Sequence, residues 1–145
     1  MKILLGSLAL LLADSIPAGW ITLKDSKNAC QIAAPGDFKP DPSFPGLAKG
    51  PGDAVEVQVF SSRGPVKPIG DAVAKMMNID KFIDNTDKRQ FYANKPAKVK
   101  DGRTITAWTV KIATPTGNCF ATITVVPGGS EDLVKKIGGT IAVSK

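Results

Sequence analysis

A long β-hairpin is predicted for residues 105–126, which read ITAWTVKIATPTGNCFATITVV. Apolar side chains recur at every second position, and this period places alternate residues on opposite faces of a strand. Pro115 ends the first strand, while Gly117 and Asn118 tolerate the positive φ angles of tight turns. The rest of the domain is expected to pack near this hairpin. In the first strand Trp108, Val110 and Ile112 should share a face, and in the second strand Cys119, Ala121, Ile123 and Val125 should share one.

Trp108 has two interpretations. It could be a platform on which a ligand stacks, or an aromatic side chain of the sheet's own core. The core interpretation is favoured, because Trp is a common residue of half-buried sheets.

Length and composition indicate one globular domain. The chain has 145 residues, of which 43% are hydrophobic and 22% are charged, and this length suffices for a core without metals or several disulfides. A net charge of +6 favours anionic neighbours such as lipid headgroups, polysaccharides or acidic proteins. The chain contains no histidine, which excludes Ser-His-Asp and Cys-His catalysis and His-ligated metal sites.

The first 18 residues have the layout of a secretory signal peptide. A basic start at Lys2 precedes an apolar run over residues 3–13, which is too short to span a bilayer comfortably. Cleavage is expected near residues 15–18, after Ser15 or Ala18, and leaves a single domain over residues 19–145. The protein is therefore expected to be secreted or periplasmic. The alternative is a buried N-terminal helix or a retained anchor.

Export bears on the two cysteines of the chain. Cys30 and Cys119 are 89 positions apart and fit no CxxC or zinc-ligand spacing. In an oxidising compartment an even pair usually forms a disulfide, and each cysteine is predicted to face inward from a strand. The alternative is two buried thiols that act as small hydrophobic side chains.

The rest of the chain alternates short strands with two helices. Residues 35–53 contain five Pro and four Gly, which predicts a long irregular loop that is functional or mobile. Asp101-Gly102 is a strong hairpin-turn signal. The other predicted elements are strands over 20–23, 29–34, 55–60 and 90–93, a helix over 68–78 and a helix that Ser130 caps.

Two side-chain clusters invite a metal or catalytic interpretation. Met76 and Met77 could bind a soft metal, but with Ile69 and Val73 they recur at helical spacing, which favours core packing. The second cluster consists of Asp80, Asp84 and Asp87. Their spacing is helical and lacks the pattern of a calcium loop, so a solvated helix face is favoured over a metal or catalytic site.

Basic residues dominate the chain between positions 88 and 103. Because Phe91 and Tyr92 lie among them, they could bind a nucleic-acid strand, but the export signal argues against that partner. Edge-strand lysines that prevent aggregation are the plainer interpretation, and docking on an anionic partner is the functional one. The candidate anionic-partner surface comprises Lys88, Arg89, Lys95, Lys98, Lys100 and Arg103.

No nucleotide-binding or hydrolase motif is present. The chain lacks GxGxxG, a P-loop and a GxSxG elbow, so no cofactor and no catalytic residues are predicted. The order of predicted elements instead indicates an α+β domain in which helices flank an antiparallel sheet.

At the level of topology the chain resembles the PsbP-like family of exported extrinsic proteins. The resemblance rests on the opening Trp20 strand, the strand that ends at Pro35, the helix IGDAVAKMM, and the closing pattern from VKDGRT to the end, and it covers residues 19–145. It implies an α/β/α sandwich and a non-catalytic accessory role at a membrane surface. It transfers no functional residue.

The leading functional hypothesis is an exported, non-enzymatic module. It would dock on a larger protein or membrane-associated assembly with an acidic surface, with peripheral membrane contact at most. The alternative is a carrier of a small ligand or lipid. Its pocket would lie between the 35–53 loop, the 68–78 helix and the sheet, lined by Phe60 or Trp108. An unconventional enzyme that uses Asp and Lys is a third possibility and would require carboxylates with strongly perturbed pKa values in a cleft.

Overall fold

The computed structural model describes residues 15–145. The apolar run of the predicted signal peptide lies outside these residues. The described chain forms a three-stranded sheet, an eight-stranded sheet and two α-helices. The strands are β1 (Ile21–Lys24), β2 (Cys30–Ala34), β3 (Lys39–Pro40), β4 (Leu47–Lys49), β5 (Val55–Ser62), β6 (Ile79–Asn85), β7 (Arg89–Asn94), β8 (Ala97–Lys98), β9 (Thr104–Thr114), β10 (Gly117–Val125) and β11 (Ala142–Val143).

The helices are α1 (Asp71–Met76) and α2 (Glu131–Gly139), and a short 3₁₀ helix covers Pro51–Asp53. Ser130 caps α2, because its side-chain oxygen accepts a hydrogen bond from the Leu133 amide at 3.2 Å. Acidic residues in the first turn of α2 add a favourable interaction with the helix dipole.

The predicted hairpin is confirmed and forms the centre of the large sheet. Strands β9 and β10 pair antiparallel from Thr106–Val125 to Thr114–Gly117, so Pro115 and Thr116 alone form the turn. The large sheet runs in the order β3-β4-β5-β10-β9-β7-β6, with β8 paired to β9. The turn predicted at Asp101-Gly102 also lies between paired strands, β8 and β9, with Gly102 at φ +84°.

The main core lies on one side of the large sheet, where α2 and the small sheet cover it. The pairing of β9 with β10 brings the two predicted sets of alternating side chains to the same face of the hairpin, where they are buried apart from Ile112, which is partly buried. Helix α2 contributes Val134 and Ile137 to this core, and Ile141 follows just after the helix ends; each of the three side chains is 0% exposed. The small sheet has the order β1-β2-β11, and β2 contributes Ile32 and Ala34 to the same core.

The predicted disulfide is present. Cys30 and Cys119 are bonded, with their Cα atoms 5.5 Å apart, and both are 1% exposed. Because Cys30 lies on β2 and Cys119 on β10, the bond joins the small sheet to the large one.

The α+β class agrees with the prediction, but the sandwich differs from it. Of the two α-helices in residues 15–145, only α2 is a packed helical layer, and it shares its side of the large sheet with β1, β2 and β11. Helix α1 is six residues long and has no buried residue, so it does not form the second helical layer of an α/β/α sandwich. Residues 35–53 are also more regular than predicted, since they contain β3, β4 and the 3₁₀ helix.

The prediction of a helical face for the three aspartates is wrong. Asp80 and Asp84 lie on strand β6, and Asp87 lies in the turn between β6 and β7. Pairing with β7 decides this conformation, because hydrogen bonds to a neighbouring strand override a local spacing that suits a helix.

Candidate docking surface

The six predicted basic residues fall into two groups at opposite ends of β9. Arg89 is paired with Ile112 near one end, and Lys98 is paired with Thr104 at the other. Eight residues of extended strand separate these positions, which corresponds to about 26 Å. The basic segment therefore does not form one continuous surface.

Acidic neighbours neutralise two of the six. Arg89 Nε is 3.0 Å from Asp84 Oδ2, and Arg103 Nε is 2.7 Å from Asp101 Oδ2. Within residues 15–145, no carboxylate lies within ion-pair distance of Lys95, Lys98 or Lys100. These three side chains, all exposed, are called the β8 lysines below.

Helix α1 exposes the apolar side chains that were predicted to pack in the core. The exposed fractions are 49% for Val73, 84% for Met76 and 40% for Met77, so that prediction is wrong. The following strand adds Phe82 at 36% and Ile83 at 39%. These five side chains are called the α1–β6 patch below.

The α1–β6 patch and the β8 lysines are adjacent in the fold. The Asn94 side-chain amide donates a hydrogen bond to the Met77 carbonyl at 2.7 Å. The backbone N–H of Lys95 donates to the Asn78 carbonyl at 2.9 Å. Hydrogen bonds thus join the end of α1 to Lys95, the first of the β8 lysines.

Hydrogen bonds also fix the chain that leads into α1. This connection passes from β5 to β6, across the intervening strands β10, β9 and β7. The Asn85 side chain bonds both the N–H and the carbonyl of Ile69 at 2.8 Å, and the Gln90 side chain donates to the Lys67 carbonyl. Val66 is buried at 6% exposure, so the apolar residues of α1 are presented from an anchored connection.

The two candidate ligand-lining aromatics lie on opposite faces of the large sheet. Trp108 is 4% exposed and packs edge-to-face on Phe91 at 5.7 Å between ring centroids. Its position in the core supports the core interpretation. Phe60 points to the other face, where it stacks on Phe120 at 4.9 Å.

The predicted carrier pocket is not formed between its three proposed walls. Strand β4, in the 35–53 loop, lies near one edge of the large sheet, whereas α1 contacts β6 at the opposite edge. The candidate lining residues border different cavities: Phe60 one of about 260 Å³ beside Phe44, and Trp108 one of about 240 Å³ beside Val134. The strand order, which the sequence did not predict, separates the loop from the helix.

A further cavity of about 520 Å³ lies between the β8–β9 turn and the start of β5. Its lining carries charges of both signs, unlike the mostly apolar lining of small-molecule sites. The charged residues that line it are Lys49, Asp53, Glu56, Lys100, Asp101 and Arg103.

Among the residues that the structure describes, three carboxyl groups have lowered pKa values, each with a structural cause. Burial by itself would raise the pKa of Asp25, but hydrogen bonds from the Ser61 hydroxyl and the backbone of Cys30 and Ala29 outweigh it and lower that pKa. The backbone N–H of Arg103 lowers the pKa of Asp101, and a hydrogen bond from Lys81 lowers the pKa of Glu131. A carboxyl that acts as a general acid near neutral pH needs the opposite shift.

The described residues contain no group of three or more potential metal ligands, which covers Asp80, Asp84 and Asp87. They also contain no helix with the length and apolar character needed to cross a membrane.

No protein-family model and no curated protein matches the chain. Among solved structures, one from Bacteroides thetaiotaomicron aligns with 90% of this chain at 12% identity and a TM-score of 0.44, and this chain covers 44% of that protein's length. The cyanobacterial PsbP (CyanoP) of Synechocystis sp. PCC 6803 aligns with 90% of this chain and 98% of its own, at 12% identity and a TM-score of 0.41. A PsbP is therefore among the structural neighbours of a chain whose sequence pattern resembles that family. Likenesses this distant do not bear on activity or partners.

Proposed function

We propose that this protein is an exported, non-catalytic module that docks on a larger protein or membrane-associated assembly through an acidic surface of that partner. The observation that carries the proposal is the group of β8 lysines, exposed and without ion pairs in the described chain, next to an exposed apolar helix. Unneutralised charges on one side of a small domain steer and orient association with an oppositely charged surface.

Two further observations support export and a binding role. The buried Cys30–Cys119 disulfide suits an oxidising compartment, where the signal-peptide pattern would place the protein. The absence of histidine from the sequence removes the usual general base and nucleophile activator, which favours binding over catalysis.

The carrier alternative is not proposed. Its three walls lie at separate edges of the large sheet, and its two aromatic residues lie on opposite faces.

Charge reversal of the β8 lysines tests the proposal. In the host, the Lys95→Glu, Lys98→Glu, Lys100→Glu variant should lose association with its assembly, because the lysines attract an acidic partner and glutamates repel it. The measurement is the fraction of protein that co-migrates with high-molecular-mass material of the exported compartment, at low and at high NaCl. We expect at least a tenfold loss at low salt and a smaller difference at high salt, where charges are screened.

A matched variant controls for net charge. Lys27→Glu, Lys39→Glu, Lys136→Glu reverses three exposed lysines elsewhere, so both triple variants bring the net charge of +6 to zero. Association should survive in this control. Equal association of wild type and the Lys95, Lys98, Lys100 variant would refute charge-driven docking. Equal loss of association in both triple variants would refute the β8 lysines as the docking surface. Intact mass of host protein first establishes whether residues 1–18 are removed.

A further inference from the structure

We infer that the α1–β6 patch is the apolar centre of a protein-binding surface and that the β8 lysines are its basic border. The partner is a protein that presents an apolar groove bordered by carboxylates. This inference rests on the proposed function and specifies the surface and the chemistry of the partner.

The exposed apolar side chains are concentrated in one part of the described chain. In the described part of the chain, eight large apolar side chains are at least about a third exposed, and five of them lie between residues 73 and 83. These five lie on α1, on its C-cap residue and on β6, the strand that α1 contacts. Single exposed apolar residues are normal on protein surfaces, whereas clusters of them mark interaction sites. The other three, Ile16, Phe44 and Val143, are distributed over separate segments.

The side chains of the α1–β6 patch suit contact with a protein groove. Met76 and Met77 at the end of α1 are unbranched and polarizable, so they adapt to the shape of an apolar groove. Phe82 supplies a rigid aromatic group, which packs edge-to-face on Tyr92 with ring centroids 5.8 Å apart. An adaptable helix end and an aromatic ring on the strand that the helix contacts suit an apolar groove of a protein.

The charges around the patch distinguish a protein from a lipid surface. The β8 lysines and Lys75 would attract either one. Asp71 in the first turn of α1 and Asp80 on β6 are exposed on the same two elements that carry the apolar side chains. An anionic bilayer would repel these carboxylates, whereas a protein groove can place carboxylates against the lysines alone.

The geometry of β6 indicates that side chains carry the contact. Strand β6 is the last strand of the large sheet, so its outer edge could in principle pair with a strand of the partner. Its pairing with β7 is interrupted between Ile79 and Lys81 and again between Phe82 and Asp84. Such irregularities twist an edge strand away from edge-to-edge pairing. A groove that accepts α1 and Phe82 fits this geometry better than an added strand.

Site-specific cross-linking in the host tests the inference. The photoreactive residue p-benzoylphenylalanine replaces Met76, which is 84% exposed, or Phe44, which is 56% exposed and serves as the control. We expect a discrete protein adduct from position 76, at least tenfold more abundant than from position 44. Adding Val73→Glu and Met77→Glu to the Met76 probe should remove the adduct.

The partner identified in the adduct is then purified, and its affinity for this protein decides whether the adduct reports a specific surface. Met76→Glu should bind at least tenfold more weakly than wild type in calorimetry, while Phe44→Glu should bind as wild type does. Equal binding by all three proteins would overturn the inference, as would adducts of equal abundance from both positions.

Other occupants of the patch are outcomes that overturn the inference. An adduct between two copies of this chain, with a dimer in sedimentation, would assign the patch to self-association. Met76-dependent flotation with vesicles of 70% phosphatidylcholine and 30% phosphatidylglycerol, without a protein adduct, would assign it to lipid.

The two proposals fail in different ways. Loss of the assembly on lysine reversal, with no adduct from position 76, would retain the proposed function and refute the apolar centre. A specific adduct that is insensitive to lysine reversal and salt would retain the apolar centre and refute charge-driven docking.

Discussion

At the scale of single residues, Asp25 joins three parts of the fold. Its Oδ1 accepts hydrogen bonds from the backbone N–H of Ala29 at 2.7 Å and of Cys30 at 2.9 Å. Its Oδ2 accepts from the Ser61 hydroxyl on β5 at 2.7 Å. The carboxylate thus closes the β1–β2 turn, holds the disulfide-bonded strand and connects both to the large sheet.

Removal of this carboxylate should make the protein less stable and less sensitive to acid. Asp25→Ala should lower the free energy of unfolding by about 1–3 kcal/mol at pH 7, because the buried Cys30 N–H and two partly buried donors lose their acceptor. The pKa of Asp25 is lower when folded, so its stabilisation is present above the unfolded value of about 3.9 and is lost as pH falls through the folded pKa. Urea unfolding of wild type and Asp25→Asn at pH 7 and at low pH measures this difference.

The expected result is a smaller loss of stability on acidification in Asp25→Asn than in wild type. Asp37→Asn, an exposed control, should follow wild type within about 0.5 kcal/mol. An unchanged pH dependence in Asp25→Asn would contradict the role of the charge.

At the scale of elements, the two helices differ in what holds them. Helix α2 places Val134, Ile137 and Gly138 against the core, whereas α1 buries no residue. Both sequences show apolar residues at helical spacing, so periodicity alone did not distinguish them. The difference follows from position: α2 lies on the core side of the large sheet, and α1 ends a connection to its outermost strand.

Gly138 permits the close approach of α2 to the sheet. A Cβ atom at this position would lie 2.5 Å from Cζ and 2.6 Å from Cε2 of Phe91, a side chain that is 1% exposed. Gly138→Ala should therefore destabilise the protein by about 1–3 kcal/mol, although alanine favours a helix over glycine. Thermal and urea unfolding measure the change.

Gly70 is the matched glycine for this experiment. It has φ −76° before α1, and a Cβ atom there would meet nothing within 4 Å. Gly70→Ala should cost at most about 1 kcal/mol, because Gly70 is the N-cap of α1 and alanine is a poorer N-cap than glycine. A Gly138→Ala protein as stable as Gly70→Ala would contradict the prediction, because α2 and Phe91 would then move apart with no loss of stability.

At the scale of the whole molecule, one covalent bond joins the two sheets. The Cys30–Cys119 disulfide closes a loop of 89 positions between β2 and β10. Reduction, or the Cys30→Ala, Cys119→Ala double variant, should lower the free energy of unfolding by about 2–5 kcal/mol. The measurement is urea unfolding with and without a reductant.

The double variant supplies the internal control, because a reductant should not change its unfolding midpoint. An oxidised wild type that unfolds at the same midpoint as the double variant would contradict the stabilising role of the bond.

Much of the central architecture could be predicted from local pattern. Alternation along residues 105–126 predicted β9 and β10, because a period of two has one structural solution when one face is buried. The cysteines were predicted to pair because export and two inward-facing strand positions agreed. Strand β6 was missed, because the aspartates at 80, 84 and 87 repeat at helical spacing and only β7 supplies the pairing that overrides it.

The candidate site was less predictable than the fold. The basic residues were found by composition, but which of them remain unpaired depends on Asp84 and Asp101, whose contacts with arginine are set by the two turns of the folded chain. The apolar residues of α1 were found by periodicity and assigned to the core. The sequence of residues 68–78 alone cannot predict that α2 and the small sheet already cover the core side of the large sheet.

The sequence by itself determined the hairpin, the α+β class, the cysteine pair and the absence of histidine chemistry. These properties depend on local periodicity or composition, which are present in the chain before it folds. The tertiary structure decided the strand order, the separation of the basic residues into two groups and the exposure of Val73, Met76 and Met77. Each depends on which surfaces meet across long sequence distances, and burial is a property of the packed molecule rather than of any segment.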